Sequence, residues 1–397
     1  MVKGRHALPP PPGHGFPTGE FAGRTRRIQQ LMAAATLDAL LLTTPQNFRY
    51  LTGYASQFWE SPTRPWFLVV PLQGDPIAVI PEIGGAQMGA TWLRDIRTWP
   101  APRPEDDGLS LLADTLGVLT RHSGRIGAEM GREMPMRLPL LEFQALSRAL
   151  PDHQMVDASS AIWQARMVKS EAEIACIRYA ALIASTAYEE LHEYVRIGMT
   201  EREINSLLTR KMLAAGADAV PFLPVISGPG GVEQIVAGPG ERALEAGDVL
   251  FIDTGVTYDG YFCDFDRVYA VGEVGEECRR AHDAVWCATQ AAIDGLRPGM
   301  TCEELWGLMN AVLEEAGSLS NNVGRMGHGL GMQLTEPPSH MPGDKTVIEE
   351  NMVLTIEPGM EYAPGKMIVH EENIVVRASG AELLSLRAPR EMWVVSG

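Results

Sequence analysis

Cysteine and positive charge are both scarce in this chain, and no long apolar run interrupts it. Only five of its 397 residues are cysteine, at 176, 263, 278, 287 and 302. They are odd in number and show no CxxC spacing, which argues against a disulfide framework and for a reducing compartment. Thirty-three Lys and Arg stand against fifty Asp and Glu, a formal charge of -17. Nucleic acid and anionic membrane would therefore be repelled over most of the surface, and neither is expected as a partner. Bound metal should offset part of that charge. No apolar run reaches the roughly 18 residues of a membrane span, and the Pro9–Pro12 leader with Gly13 and Gly15 lacks the roughly 7 to 15 apolar residues of a signal peptide. A cytoplasmic enzyme is expected. Gly228-Pro229-Gly230-Gly231 is glycine-rich, but no Lys-Ser/Thr follows and no helix start is evident, so a nucleotide loop is set aside.

What is present fits two packed domains. Hydrophobic content of 45% with 21% charged residues is ordinary for a globular chain, and the length allows two cores. A flexible leader is expected over residues 1–19, an α/β domain over 20–160 and a second domain over 165–397. In the first, Arg24 to Ala35 reads as a helix, Asp38 to Leu42 as a strand, and Trp66 to Val70 with Pro76 to Ile80 as a hairpin about Gly74-Asp75. The segment Gln57 to Trp66 holds Trp59, Arg64 and Trp66 in an expected loop. Aromatic packing at an interface competes there with a lid that touches substrate. Ser170 caps a helix, with Glu173 three residues on.

The most informative pattern is a repeat. Val249-Leu250-Phe251-Ile252-Asp253-Thr254-Gly255 matches Val353-Leu354-Thr355-Ile356-Glu357-Pro358-Gly359, each an apolar strand running into an acid. Upstream, Arg196-Ile197-Gly198-Met199-Thr200-Glu201-Arg202-Glu203 matches Arg297-Pro298-Gly299-Met300-Thr301-Cys302-Glu303-Glu304. In each helix the Thr caps the backbone N–H three residues on while Glu203 or Glu304 reaches back, a capping box. Two such units packed face to face would bring Asp253 and Glu357 together. The turn at Tyr258-Asp259-Gly260 returns the chain to Asp264, beside Asp253. Glu357 and Glu371 occupy the corresponding hairpin, and glycines around His328 leave its imidazole open. Buried carboxylates repel unless neutralised, so Asp253, Asp264, His328, Glu357 and Glu371 read as the ligands of a dinuclear divalent site. Four negative charges would balance two dications. Carboxylate-rich ligation suits Mn above all, then Fe or Co, and admits Zn.

The order and spacing of these five resemble the pita-bread metallohydrolases, which include methionine aminopeptidase, aminopeptidase P, prolidase and the metal-free creatinase. Asn47-Phe48-Arg49-Tyr50-Leu51-Thr52-Gly53-Tyr54 is similar to the N-terminal signature of the prolidase and creatinase branch, and Lys169-Ser170-Glu171-Ala172-Glu173-Ile174 to the start of its catalytic domain. The resemblance implies a creatinase-like N-terminal α/β domain followed by a pita-bread domain with a pseudo-two-fold repeat. It further implies Asp253 on one ion, His328 and Glu357 on the other, Asp264 and Glu371 bridging, and Glu357 as the general base beside a bridging water.

The chain departs from the peptidase pattern where substrate is handled. Peptidases of the family carry a His near Gln234-Ile235-Val236-Ala237 and another at Gln333-Leu334-Thr335-Glu336-Pro337, and neither is present here. The Arg two before the last ligand is replaced by Val369, with His370 alongside. Thr335 and His340 are candidates to compensate, although His340 also reads as a surface-loop residue. Strand alternation points His370 away from the face of Glu371. Tyr261 is a candidate hydrogen-bond partner near the metal hairpin, with packing as the competing role.

The implied function is a metal-bridged hydroxide hydrolase of the Xaa-Pro peptidase type, acting on a short peptide or small N-substituted amide. One alternative keeps the centre for a non-peptide compound, a creatine- or ectoine-like C–N substrate or a sulfonium lyase reaction. A metal-stabilised binding protein is the other. The resemblance also implies a homodimer in which the first domain covers the partner's site. There Trp59 and Trp66 would exclude water and Arg64 would grip a substrate carboxylate.

Overall fold

The computed structural model describes residues 7–60, 64–320 and 324–396. They form two compact units, one of residues 15–166 and one from residue 167 onward that also takes in residues 7–14.

The first unit comprises α1 (Thr18–Ala34), β1 (Ala39–Leu42), α2 (Pro45–Thr52), β2 (Phe67–Pro71), β3 (Ile77–Pro81), α3 (Gly85–Gly89), β4 (Asp95–Trp99), α4 (Leu109–Leu119), β5 (Arg125–Ala128), α5 (Leu140–Ala149), β6 (Gln154–Asp157) and α6 (Ser159–Met167). Its sheet runs β4-β3-β2-β1-β5-β6. The expected hairpin is β2–β3, with Phe67 opposite Val79. Strands β1 and β2 are buried along their whole length, as their unbroken apolar runs require. Helix α1 starts before the expected Arg24, because Pro17 at φ -65° pre-sets the entry and Glu20 sits in the first turn. The apolar periodicity begins only at Phe21, so the pattern could not mark that turn. At the start of α2 the buried Glu129 carboxylate accepts the amides and hydroxyls of Thr43 and Thr44 and the Asn47 amide. Asn47 in turn accepts from Arg166 at 2.7 Å. The role of Asn47 in its signature segment is therefore architectural.

The second unit comprises α7 (Glu171–Glu189), α8 (Glu201–Ala214), β7 (Ala219–Phe222), β8 (Val225–Pro229), β9 (Asp248–Tyr258), β10 (Tyr261–Phe262), β11 (Phe265–Val271), α9 (Glu276–Gly295), α10 (Cys302–Glu315), β12 (His328–Gly329), β13 (Glu336–Ser339), β14 (Val353–Ile356), β15 (Gly359–Ala363), β16 (Lys366–Val369), β17 (Glu372–Arg377), β18 (Gly380–Leu383) and β19 (Trp393–Val395). Capping boxes close the N-termini of α7, α8 and α10, at Ser170/Glu173, Thr200/Glu203 and Thr301/Glu304. The repeat is visible in the sheets. In the first half β9 pairs antiparallel with β8 and β11, and in the second β14 pairs antiparallel with β12 and β17. Each central strand leads into its acid. Apolar residues of both halves, among them Phe251, Val285, Leu305, Met309, Leu354 and Ile356, share one core. That shared core holds the two sheets, and hence their acids, in fixed relation.

Part of the leader is tied to this unit. The Tyr258 hydroxyl donates to the Pro12 carbonyl at 2.6 Å, and the His14 ring packs on Tyr258 at 4.6 Å. All five cysteines are free. No helix among the described residues is long and apolar enough to cross a membrane.

Candidate metal centre

Five side chains converge from strand ends of both halves. Asp253 lies on β9, Asp264 in the link between β10 and β11, His328 on β12, Glu357 directly after β14, and Glu371 directly before β17. The hairpin that returns Asp264 turns through Asp259 (φ 48°) and Gly260 (φ 78°), the paired left-handed conformation of a type I′ turn. In the second half the β14–β17 register pairs Ile356 with Glu372. Carried one step further, it sets Glu357 opposite Glu371. Pro358 has no N–H to extend that ladder, so β14 stops there and the chain leaves through β15 and β16.

His328, Asp264 and Glu371 form the centre of the cluster. The His328 Nε2 lies 3.3 Å from Asp264 Oδ2, and donor atoms of the three lie within 4.8 Å of one another. The backbone around His328 is tight. A Cβ on Gly327 would fall 2.2 Å from the Thr355 carbonyl, and one on Gly329 would fall 2.2 Å from that of Pro337. Only glycine fits at either place, which fixes where the imidazole projects. Its Nδ1 faces the Gly329 carbonyl at 2.8 Å. A proton on Nδ1 makes that a hydrogen bond and directs the Nε2 lone pair at the acids, the arrangement a metal-binding imidazole needs.

The electrostatics call for a cation. Burial, with neighbouring carboxylates, holds Asp253 and Glu371 well above the carboxylate range, and burial does the same for Asp264. Glu357 keeps some exposure and is pushed up to about 7, mainly by burial and partly by Asp264, against the pull of His328. Asp253 and Glu357 raise each other's neighbours without placing a donor atom in the tight trio. Glu371 Oε1 is buried without a hydrogen-bond partner among the described residues. An unpartnered carboxylate oxygen facing three more acids and an oriented imidazole is what a divalent ion would satisfy, so these residues fit such an ion.

Comparison with known proteins agrees with this geometry. Residues 175–378 match the model of metallopeptidase family M24, and residues 24–168 match the creatinase/prolidase N-terminal domain. The chain belongs to metallopeptidase family M24. It is 30% identical to "Probable dipeptidase PepE" of Mycobacterium tuberculosis over 374 residues, 92% of this chain and 95% of that protein. It is 28% identical to an Xaa-Pro dipeptidase of Lactobacillus delbrueckii subsp. lactis, over 85% of this chain and 90% of the relative. The crystal structure of dipeptidase PepE from Mycobacterium ulcerans superposes with a TM-score of 0.85 at 29% identity, covering 97% of this chain and all of that one. The chain therefore has the creatinase-type N-terminal domain and the M24 pita-bread domain, and it is a metallohydrolase.

Within that family fold, the expected substrate residues separate. Tyr261 is buried, and its hydroxyl donates to Glu173 of the α7 capping box at 3.0 Å. That bond and its burial give Tyr261 the packing role that competed with substrate contact. His340 is fully buried, which corrects its surface-loop assignment. Neither ring nitrogen has a hydrogen-bond partner among the described residues, and burial, then the nearby His328, depresses its pKa to about 3. Sequence hid this because His340 follows two prolines, a loop signal, whereas its amide in fact donates to the Gly327 carbonyl at 2.9 Å. His370 points away from the cluster as expected, toward Thr289 on α9 and Arg387. Thr335 accepts from Arg325 at 3.1 Å. The strand that follows it, β13, is anchored by a fully buried Lys169–Glu336 pair at 3.4 Å.

Trp59 is buried in an aromatic cluster, 5.4 Å from Phe48 and 5.7 Å from Trp66 between ring centres, with Arg137 over its face. Trp66 is buried as well. Both rings are packed within the first unit. Arg64 is half-buried over Phe58, with its Nε unpartnered among the described residues, beside a cleft of about 400 Å³ that Arg137 and Glu142 also line. Ser61, Pro62 and Thr63 of the expected lid lie outside the described residues.

Three residues escaped the sequence reading. Asn373, fully buried, grips the Asp264 backbone from both sides: its Oδ1 accepts the Asp264 amide at 2.9 Å and its Nδ2 donates to the Asp264 carbonyl. It stands two residues after Glu371, so one side chain locks the two acids into register. Asp266 pairs across the strands with Asp253 and is held well above the carboxylate range by burial, then by Asp253. Arg325 reaches the centre's rim. The alternation Asp264-Phe265-Asp266 was a signal for Asp266, because both acids share a face. Asn373 and Arg325 had no such periodic signal.

Proposed function

We propose that the protein is a dinuclear metal-dependent dipeptidase of the Xaa-Pro type, cleaving a short peptide or a small N-substituted amide. The observation that carries this is the buried, cation-deficient cluster of Asp264, His328 and Glu371 flanked by Asp253 and Glu357. Similarity to dipeptidases along nearly the whole chain supports the substrate class. In this proposal two divalent ions would be held by Asp253 on one side, by His328 and Glu357 on the other, and by Asp264 and Glu371 in common; Mn would be the first choice, with Fe, Co or Zn as alternatives. When bound, such ions would supply an acidified water and polarisation of the scissile carbonyl. Glu357 would be the general base that accepts a proton from such a water, and its partial exposure gives solvent access. His328 is kept in one tautomer by the Gly329 carbonyl. Thr335 stands on the substrate side through Arg325.

The proposal includes a cytoplasmic homodimer. The Arg64 Nε, without a hydrogen-bond partner among the described residues and beside its cleft, supports a role for that side chain across subunits. Light scattering tests the dimer. The function is tested by loading the protein separately with Mn, Fe, Co and Zn and assaying Xaa-Pro dipeptides, cyclic amides, and creatine-, ectoine- and sulfonium-type compounds. Two ions per chain and cleavage of Xaa-Pro dipeptides are expected. Turnover confined to the non-peptide compounds would replace the dipeptidase assignment, and tight metal binding without any turnover would leave a binding protein.

A further inference from the structure

Asp266 stands directly across from Asp253. The β9–β11 register pairs the two residues, so their side chains leave the sheet on one face. Directly opposite residues of an antiparallel pair hold their Cβ atoms about 4.5 to 5.5 Å apart, and like charges there repel. Asp266 is 2% exposed, and its Oδ2 is buried with no hydrogen-bond partner among the described residues. A buried carboxylate oxygen left in this state costs free energy unless a cation or a donor reaches it.

The cations nearby are engaged elsewhere. Arg267, next in the strand, alternates to the opposite face, where its guanidinium donates to Glu372 at 2.9 Å and to the carbonyls of Asp266, Glu371 and Leu386. Arg325 belongs to the His328 end of the centre: it donates to Thr335 Oγ1 at 3.1 Å and to Ser339 Oγ at 3.4 Å, and Ser339 is the cross-strand partner of His328. The repeat sharpens the point. The residue two past the second acid is Asn373 in one half and Asp266 in the other. Asn373 uses its side chain to grip the Asp264 backbone, whereas the Oδ2 of Asp266 is left for something the protein does not supply.

The proposed ligand set is also uneven. Beyond the shared Asp264 and Glu371, one ion would have both His328 and Glu357, and the other would have Asp253 alone. One oxygen of Asp253 already accepts the Thr254 amide at 2.7 Å. We infer that Asp266 is a further ligand of the metal centre, the second unshared carboxylate of the ion on the Asp253 side. The inference rests on the dinuclear reading above and deepens it. Each ion would then have four protein residues. The Asp253 side would be all-oxygen, a donor set that suits Mn better than Zn, while the other side keeps the imidazole. The competing role is a neutral side chain that fills space beside Asp253 and orients it from outside the ligand shell. Asparagine reproduces that shape without the charge.

The test uses full-length wild type, Asp266→Asn and Asp266→Ser, each stripped, reconstituted with manganese and checked for metal content. Competitive chelator titration reads affinity, and electron paramagnetic resonance reads whether the ions are coupled. Wild type is expected to hold two coupled ions per chain. In both variants one ion should be weakened by more than the roughly 10- to 100-fold that loss of an outer residue causes, leaving the hyperfine sextet of an isolated Mn ion. A crystal structure of manganese-loaded wild type, which needs no variant to fold, should place an Asp266 oxygen in the ligand shell of the ion nearest Asp253. Two ions held by Asp266→Asn at wild-type affinity, or Asp266 outside both ligand shells in the loaded crystal, would overturn the inference and leave the dinuclear hydrolase reading standing. Wild type that takes up no metal would overturn both. Protein in which Asp266 ligates an ion but no peptide is cleaved would overturn the dipeptidase assignment alone.

Discussion

The two halves of the catalytic unit begin alike and part company at their acids. Helices α8 and α10 carry the same Thr/Glu capping box, and each central strand leads into its carboxylate. In the first half β9 continues past Asp253 to Tyr258, buried throughout, and turns straight back to deliver Asp264. In the second half Pro358 ends the ladder after four strand residues, and the chain detours through β15 and β16 before Glu371. The first half thus contributes two carboxylates from a rigid ribbon. The second contributes an imidazole, two carboxylates and Arg325 from short strands that leave Glu357 partly exposed. Symmetry sets the acids face to face, and the broken symmetry supplies the nitrogen ligand, the cation and the access for water.

If that division holds, acids of the two halves should fail differently. Asp264→Ala removes a bridge built by the ribbon. It should reduce metal uptake after reconstitution to background and abolish activity, and normal metal content would show that the ribbon is dispensable. Glu357→Gln keeps a weak ligand but cannot take a proton, so turnover should fall by about 10²- to 10⁴-fold with metal retained. Near-normal turnover of the fully loaded variant would remove Glu357 as the base.

Asn373 joins the halves. Asn373→Ala should weaken metal affinity by about 10- to 100-fold, as loss of a residue that orients a ligand does. An unchanged affinity in a competitive chelator titration would mean that the ribbon places Asp264 unaided.

The facing acids also predict a pH signature. All four have folded pKa values raised above their unfolded ones, so the metal-free folded chain binds more protons than the unfolded chain once pH exceeds about 4. That contribution to stability is full below the ordinary carboxylate range and is lost as pH rises, by about 7 for Glu357. Bound dications remove the effect. The difference in Tm between loaded and stripped protein should therefore widen from pH 5 to pH 8, by roughly 5 °C. A constant difference would indicate that the acids do not share one field. The smallest effects should be the most symmetric: Thr200→Ala and Thr301→Ala should each cost about 1 kcal/mol in denaturant unfolding, and unequal costs would show that the repeat is less regular than its caps suggest.

Much of this was legible in the chain itself. The capping boxes rest on contacts three residues apart, and the β9–β10 turn on two adjacent residues, so local sequence specifies them. The cluster of four acids and one imidazole was legible because a repeat implies a symmetric partner, and symmetry turns two local patterns into one long-range contact. The burial of His340 and of the Trp59 ring was harder to read, for the opposite reason. A histidine after two prolines and a tryptophan among prolines look like loop residues, and only the packing of distant elements decides whether a loop is covered.

What the sequence determined by itself, then, is everything carried by period, cap, repeat and composition: two units, mirrored strands ending in acids, a donor set suited to divalent ions, and a net negative charge. Which donors meet within reach of one ion was decided by tertiary structure. So were the Asn373 grip across strands, the burial of Tyr261 and His340, and the seating of Arg325 on two hydroxyls opposite His328. These depend on side chains brought together across strands and through a shared core, and such proximity has no period in the chain to announce it.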